Sequence, residues 1–145
     1  MELLEPGFRT ALVALLAHAK GAGHELRVLE TYRSPTRQEA LYKAGATQLK
    51  SVGVHSFGLA VDLGLFLGGK YVQAAAPYNF LVNLAAKYQM ISGINWGHDN
   101  KKATFVDAGH LQRVPVFRQP DLFAERWYPP RTYDPRLDML KHGVK

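Results

Sequence analysis

The sequence predicts an α+β fold, with a small, mostly antiparallel sheet flanked by helices. Three observations lead there. Phe8, Leu12, Leu15 and Leu16 recur at helical spacing near the start of the chain. Leu59, Val61, Leu63 and Leu65 alternate with Ala60, Asp62 and Gly64, which is the period of a strand with two different faces. Between and after these the elements follow as helix, strand, helix, strand pair, helix, strand pair, an order that suits hairpin-like pairing.

Each element has its own signals. Pro6 to Lys20 reads as a helix, because proline suits a first turn and Gly21-Ala22-Gly23 supplies the stop. Glu25 to Tyr32 reads as a strand with imperfect alternation. Ser34 is placed as an N-cap and Pro35 at the first helical position, so a second helix runs to about Lys43 and stops at Gly45. Residues 47–57 read as a loop, and Leu59 to Phe66 as the alternating strand. Gly68-Gly69 forms a turn from which Lys70 to Val72 returns as a second strand. Pro77 to Tyr88 is a helix with Phe80, Leu81, Leu84 and Ala85 inward. Ile94 to Gly97 and Thr104 to Leu111 read as two further short strands. Residues 113–145 hold five of the eight prolines and little periodicity, and read as a Pro-rich C-terminal wrap or surface arm. No repeat or linker divides the chain, so residues 1–145 are expected to form one domain.

Composition narrows the chemistry. The chain has 145 residues, 47% hydrophobic and 21% charged, as in ordinary soluble domains. It contains no cysteine, which excludes disulfides and thiolate metal sites and leaves His, Asp and Glu as ligands. The net charge of +6 favours polyanions, whether nucleic acid, cell-wall polymers or anionic lipid, and equally fits a solvated basic surface. The Lys and Arg residues are scattered, without the run of a nucleic-acid patch. The N-terminus lacks a basic segment before its apolar stretch and is interrupted by Pro6 and Arg9, so no signal peptide is expected. Ala11 to Ala17 is far shorter than the roughly 20 residues of a membrane span, so no membrane insertion is expected. A protein made in the cytoplasm without a signal peptide would, if it acts outside the membrane, need another agent to release it.

Of the six histidines, His18 and His142 read as solvated surface and His24, after a Gly-rich turn, as structural. His55 differs. The loop delivers His55 and the following strand delivers Asp62 seven positions on, with Gly58 allowing a sharp turn between them. His110 on a separate strand completes three protein ligands with an open fourth position, the layout of a catalytic zinc site. The same spacing also fits an exposed His and an Asp at a sheet edge. Asp107 lies three residues before His110, where a carboxylate can act as general base and acid if the Ala108-Gly109 turn brings it close. It also fits an Asp that only caps the turn. Asn95-Trp96-Gly97-His98 repeats the spacing without a carboxylate and is the weaker pair.

These residues resemble the zinc D-alanyl-D-alanine carboxypeptidase and L-alanyl-D-glutamate endopeptidase family, whose pattern is Ser-x-His-x-x-Gly-x-Ala-x-Asp followed by Asp/Glu-x-x-His. His55, Gly58, Ala60 and Asp62 fill the first pattern, with Gly53 in place of Ser, and Asp107 and His110 fill the second. Thr31-Tyr32-Arg33-Ser34 is similar to the family's Gly-Tyr-Arg-Ser block, with Thr31 replacing Gly. Asn95-Trp96-Gly97-His98 is similar to its Trp-Gly-Gly turn, with His98 replacing the second Gly. The four blocks span about residues 25 to 112 in order.

The resemblance implies zinc on His55, Asp62 and His110, Asp107 as general base and acid, Arg33 in the substrate cleft, and the peptidoglycan stem peptide as substrate. It looks most like the phage endolysin branch, and a monomer is expected. Read from position alone, a guanidinium at Arg33 either binds a substrate carboxylate or oxyanion, or pairs with an internal carboxylate to hold the turn. A carboxypeptidase or dipeptidase trimming terminal D-Ala is the alternative within the same chemistry. A non-catalytic wall-binding module has no need of Asp107, and a nucleic-acid-binding protein is suggested by charge alone.

Overall fold

In a computed structural model of the chain, residues 3–45, 53–94 and 107–143 are described. The first helix, α1, spans Pro6–Gly21 and buries Phe8, Leu12 and Leu15 completely. Its start is fixed by a residue that the Pro6 signal did not reveal. Glu5 accepts hydrogen bonds from the Gly7 and Phe8 amides at 2.9 and 2.7 Å, placing a carboxylate on the positive end of the helix dipole. Strand β1 covers Glu25–Glu30. Helix α2 covers Pro35–Lys43 and is capped by Ser34, whose hydroxyl accepts from the Arg37 amide at 3.1 Å.

The central strand is β2, Ala60–Leu67, reached through a short 3-10 helix at Val54–Phe57 that Gly58 ends in the left-handed region at φ 72°. Strand β3, Lys70–Tyr71, returns after the glycine pair. A 3-10 turn at Ala76–Tyr78 leads into α3, Phe80–Lys87, so only the second part of the expected helix is α-helical.

Strands β4, Ile91–Ser92, and β5, His110–Gln112, complete a five-stranded sheet of order β1-β2-β5-β4, with β3 also on β2. All its pairings are antiparallel. The expected strand from Ile94 is displaced. The pairing residues are Ile91 and Ser92, while Ile94 lies in a turn; residues 95–97 of that expectation and 104–106 of the next lie outside the described residues. Asp107 to Gly109 form a turn rather than strand, and β5 begins only at His110.

The two faces of β2 do different things. Val61, Leu63 and Leu65 are at most 2% exposed and pack against Phe8, Leu12 and Leu15 of α1, Leu81 and Ala85 of α3, and Leu111 of β5. Each such side chain contributes about 1.5–3 kcal/mol by leaving water. Asp62 and Gly64 point to the other face. The main core therefore anchors one side of the sheet and leaves the opposite side for polar chemistry.

Residues 113–143 form a 3-10 turn and two short helices, α4 at Gln119–Phe123 and α5 at Pro135–Lys141. Val114 and Leu122 are fully buried in a second cluster with Val54, Leu59 and Ala60. Arg113 fastens this segment. It donates to the Tyr133 and Arg131 carbonyls at 2.7–3.2 Å and pairs with Glu5 at 2.8 Å, both side chains being buried. Each polar atom in that pair has partners, which a buried ion pair requires.

Candidate metal centre

Register brings the polar face together. Asp62 on β2 lies opposite His110 on β5 and opposite Glu30 on β1. Directly opposed residues share a sheet face with their Cβ atoms about 4.5–5.5 Å apart. The register slips between Val28 and Glu30, and this irregularity sets Glu30 beside Asp62. His55 arrives from the 3-10 helix ahead of β2, held twice by the segment leaving β1. Its Nδ1 donates to the Thr31 carbonyl at 2.7 Å, and its own carbonyl accepts from the Arg33 amide at 3.2 Å. The contact uses the backbone of Thr31, so threonine in place of glycine leaves it intact.

His55, Asp62 and His110 offer ligand atoms that all lie within 4.8 Å of one another. His55 Nε2 is 3.3 Å, and His110 Nδ1 3.1 Å, from the same oxygen, Asp62 Oδ1. The outer nitrogens are engaged by groups that accept: His55 Nδ1 by the Thr31 carbonyl, and His110 Nε2 by Gln112 Oε1 at 2.7 Å. With the outer nitrogens held by acceptors, the inner ones are left to share protons with Asp62 or to offer lone pairs to an ion at the shared centre. Two imidazoles, a carboxylate and outer hydrogen bonds of this kind make up a zinc donor set. The residues present therefore fit a zinc ion.

Arg33 closes the other side. Its Nε and Nη2 bond both oxygens of Glu30 at 3.2 and 3.1 Å, Nη2 reaches Asp62 Oδ2 at 3.2 Å, and Nη1 donates to Gln38 Oε1 at 2.9 Å. Arg33 is thus buried, and its guanidinium holds the Asp62 oxygen that the imidazoles do not share. Gly53, where the resembling family carries Ser, packs against this network. A Cβ there would lie 3.0 Å from Gln38 Oε1, a tight contact.

Asp107 sits in the turn before β5, half-buried. Its amide donates to the Gly93 carbonyl at 3.1 Å, and its carbonyl accepts from the His110 amide at 3.1 Å. The turn lies so close to its neighbours that a Cβ on Gly93 would collide with the Asp107 carbonyl, and one on Gly109 with the Leu63 carbonyl. Both glycines are required by close approach.

The electrostatics separate the carboxylates. Burial works to raise the Asp62 carboxyl, but hydrogen bonds from His110 and His55 outweigh it and hold the group well below the usual carboxylate range. Burial and then the charge of Asp62 push Asp107 upward. Burial opposes protonation of His110, yet its hydrogen bond and charge contact with Asp62 leave it raised.

The expected site residues Arg33, His55, Asp62 and His110 thus meet at one place, with Asp107 at its edge. Glu30, Gln38 and Gln112 belong to the same network and were missed. The period-two offset of Gln112 from His110 was the one available signal. His98 and the Asn95-Trp96-Gly97-His98 block lie outside the described residues.

No protein-family model and no curated protein matches the chain. Solved structures do resemble it. The L-Ala D-Glu endopeptidase ChiX of Serratia marcescens aligns with a TM-score of 0.62 and 22% identity, over 82% of this chain and 85% of that one. The LD-carboxypeptidase LdcB aligns at 0.60 and 22%, over 84% of this chain and 64% of its own. A mutant of the vancomycin-resistance D,D-pentapeptidase VanY, in complex with Zn(II), aligns at 0.57 and 16%, over 83% of this chain and 78% of its own. Similarity at this identity defines the fold, which this chain shares with those peptidases.

Proposed function

We propose that this protein is a zinc metallopeptidase that hydrolyses the stem peptide of bacterial peptidoglycan. The observation that carries the reading is the convergence of His55 Nε2, Asp62 and His110 Nδ1, with both outer imidazole nitrogens hydrogen-bonded to acceptors. The fold supports it, because its solved neighbours include an L-Ala D-Glu endopeptidase and a D,D-pentapeptidase in complex with Zn(II). The particular activity we propose is L-alanyl-D-glutamate endopeptidase, in the role of a phage endolysin. Trimming of terminal D-Ala is the second reading, favoured by the likeness to the LD-carboxypeptidase LdcB.

His55, Asp62 and His110 would hold the ion, which when bound supplies Lewis acidity toward the scissile carbonyl and acidifies the attacking water. Arg33 keeps Asp62 oriented through Oδ2. The Nη1 hydrogen that Gln38 does not take has no acceptor among the described residues, and we assign it to a substrate carboxylate or the developing oxyanion. Asp107 is the general base and then the general acid. Burial and the neighbouring Asp62 favour its holding a proton, which suits a group that must accept one from water and pass it to the departing amine.

Digestion of purified peptidoglycan, with new termini identified by mass spectrometry, tests the reading. New amino-terminal D-Glu is the expected product. Release of D-Ala alone would select the carboxypeptidase, and intact wall after digestion by the zinc-loaded protein would remove the peptidase reading.

A further inference from the structure

We propose that Gln112 is a positioning residue that fixes the imidazole tautomer of His110 and so makes the metal centre tight; the inference rests on the metal-centre reading. Gln112 is 1% exposed. A buried amide costs free energy unless it is hydrogen-bonded, and an apolar side chain of the same size would fill this place without that cost. The amide needs a reason to be there, and its two contacts supply one.

Gln112 Nε2 donates to the Val114 carbonyl at 2.5 Å. A carbonyl only accepts, so this contact decides which way the amide points. Oε1 must then face His110, whose Nε2 lies 2.7 Å away. Because Oε1 also only accepts, a neutral His110 ring held by this contact carries its proton on Nε2, and Nδ1, 3.1 Å from Asp62 Oδ1, is the nitrogen left to offer its lone pair to an ion. Orientation passes from one fixed carbonyl through the amide to the ring.

The scaffold around this relay is paired and buried. Gln112 is paired to Ala60 on one side and Ile91 on the other, so its backbone is held by two strands. Val114 is fully buried in the second cluster. His110 and Gln112 are two residues apart on β5 and share a face, which lets the longer side chain lean along the strand to the ring. His55 receives the same service from a backbone carbonyl. At His110 a side chain performs it, and this difference makes it testable by substitution.

The experiment uses the full chain and zinc alone, without substrate. Zinc affinity is measured by chelator competition for the wild type, Gln112→Met and Gln112→Glu. The tautomer of His110 is read in the metal-free proteins by nitrogen-15 NMR at a pH where the ring is neutral. The wild type is expected to show the Nε2–H form. Gln112→Met is expected to mix the tautomers and bind zinc about 10–100-fold more weakly. Gln112→Glu keeps an acceptor for His110 Nε2 but loses the donor to the Val114 carbonyl, and is expected to retain the Nε2–H form. A wild-type Nδ1–H ring, or Gln112→Met with unchanged tautomer and affinity, overturns the proposal. If Gln112→Met does not fold, the wild-type tautomer and the Glu variant decide. A wild type that binds no zinc but shows the Nε2–H form would defeat the metal reading and leave the tautomer assignment standing.

Discussion

Asp62 and His110 are register partners across β2 and β5, and Asp62 Oδ1 lies 3.1 Å from His110 Nδ1 and 3.3 Å from His55 Nε2. One carboxylate oxygen thus serves two imidazoles. Without a cation, a geometry of this kind depends on protons shared between the rings and the carboxylate. With a cation, the same three groups become ligands.

The purified protein is accordingly expected to carry about one zinc per chain. His55→Ala, Asp62→Ala and His110→Ala should each abolish tight binding. Elemental analysis after gel filtration checks this, and full zinc in the His110→Ala protein would sink the assignment.

Arg33 is expected to matter even without substrate. It is the cation that Glu30 and Asp62 share, and its side chain is 9% exposed. Arg33→Leu leaves two carboxylates facing each other across β1 and β2, which should cost about 3 kcal/mol of stability. Denaturant unfolding measures this directly. Unchanged stability combined with a raised KM would assign Arg33 to substrate alone.

The C-terminal segment makes a pH prediction. Asp138 receives both Nε and Nη2 of Arg118, at 2.7 and 2.9 Å, and the Tyr133 hydroxyl at 2.6 Å. The Arg118 hydrogen bonds, joined by that from Tyr133, hold its carboxyl below the ordinary value against the opposing effect of burial. A carboxyl lowered in the folded state adds stability that is fully present above its unfolded pKa of about 3.9 and is lost as pH falls through the folded value. Thermal unfolding between neutral pH and about pH 2.5 should therefore show an acid-side loss that Asp138→Asn reduces. Parallel curves for the two proteins would remove Asp138 as the source.

Much of the candidate site was legible because its residues are local in sequence. His55 and Asp62 flank one turn, Asp107 and His110 another, and the alternation of β2 already put Asp62 away from the core. What escaped depends on register. Nothing in Glu25 to Glu30 announces the slip that sets Glu30 opposite Asp62, and β4 pairs through Ile91 and Ser92 where the apolar Ile94 drew the strand too late. Helices α4 and α5 have five and seven residues, too few turns for periodicity to appear. Their proline starts, and Asp134 accepting from the Arg136 amide at 2.9 Å, were signals the proline count hid.

Asp107 gives the sharpest test of mechanism. In peptide hydrolysis the attacking water must lose a proton and the departing amine must gain one. We assign both steps to Asp107, which lies in the turn ahead of His110 and is bound to it through the backbone. It belongs to no ligand set among the described residues, so Asp107→Asn and Asp107→Ala should keep zinc and fold. Turnover on a stem peptide should fall by about 10²–10⁴-fold, the usual worth of a general acid–base group. Asp62→Ala should behave differently, losing metal and activity together. Steady-state rates and zinc content measured on the same preparations separate the cases. Near-normal turnover in Asp107→Ala would show that another group moves the proton, whereas loss of zinc from that variant would make Asp107 a ligand and reopen the roles of Asp62 and His55.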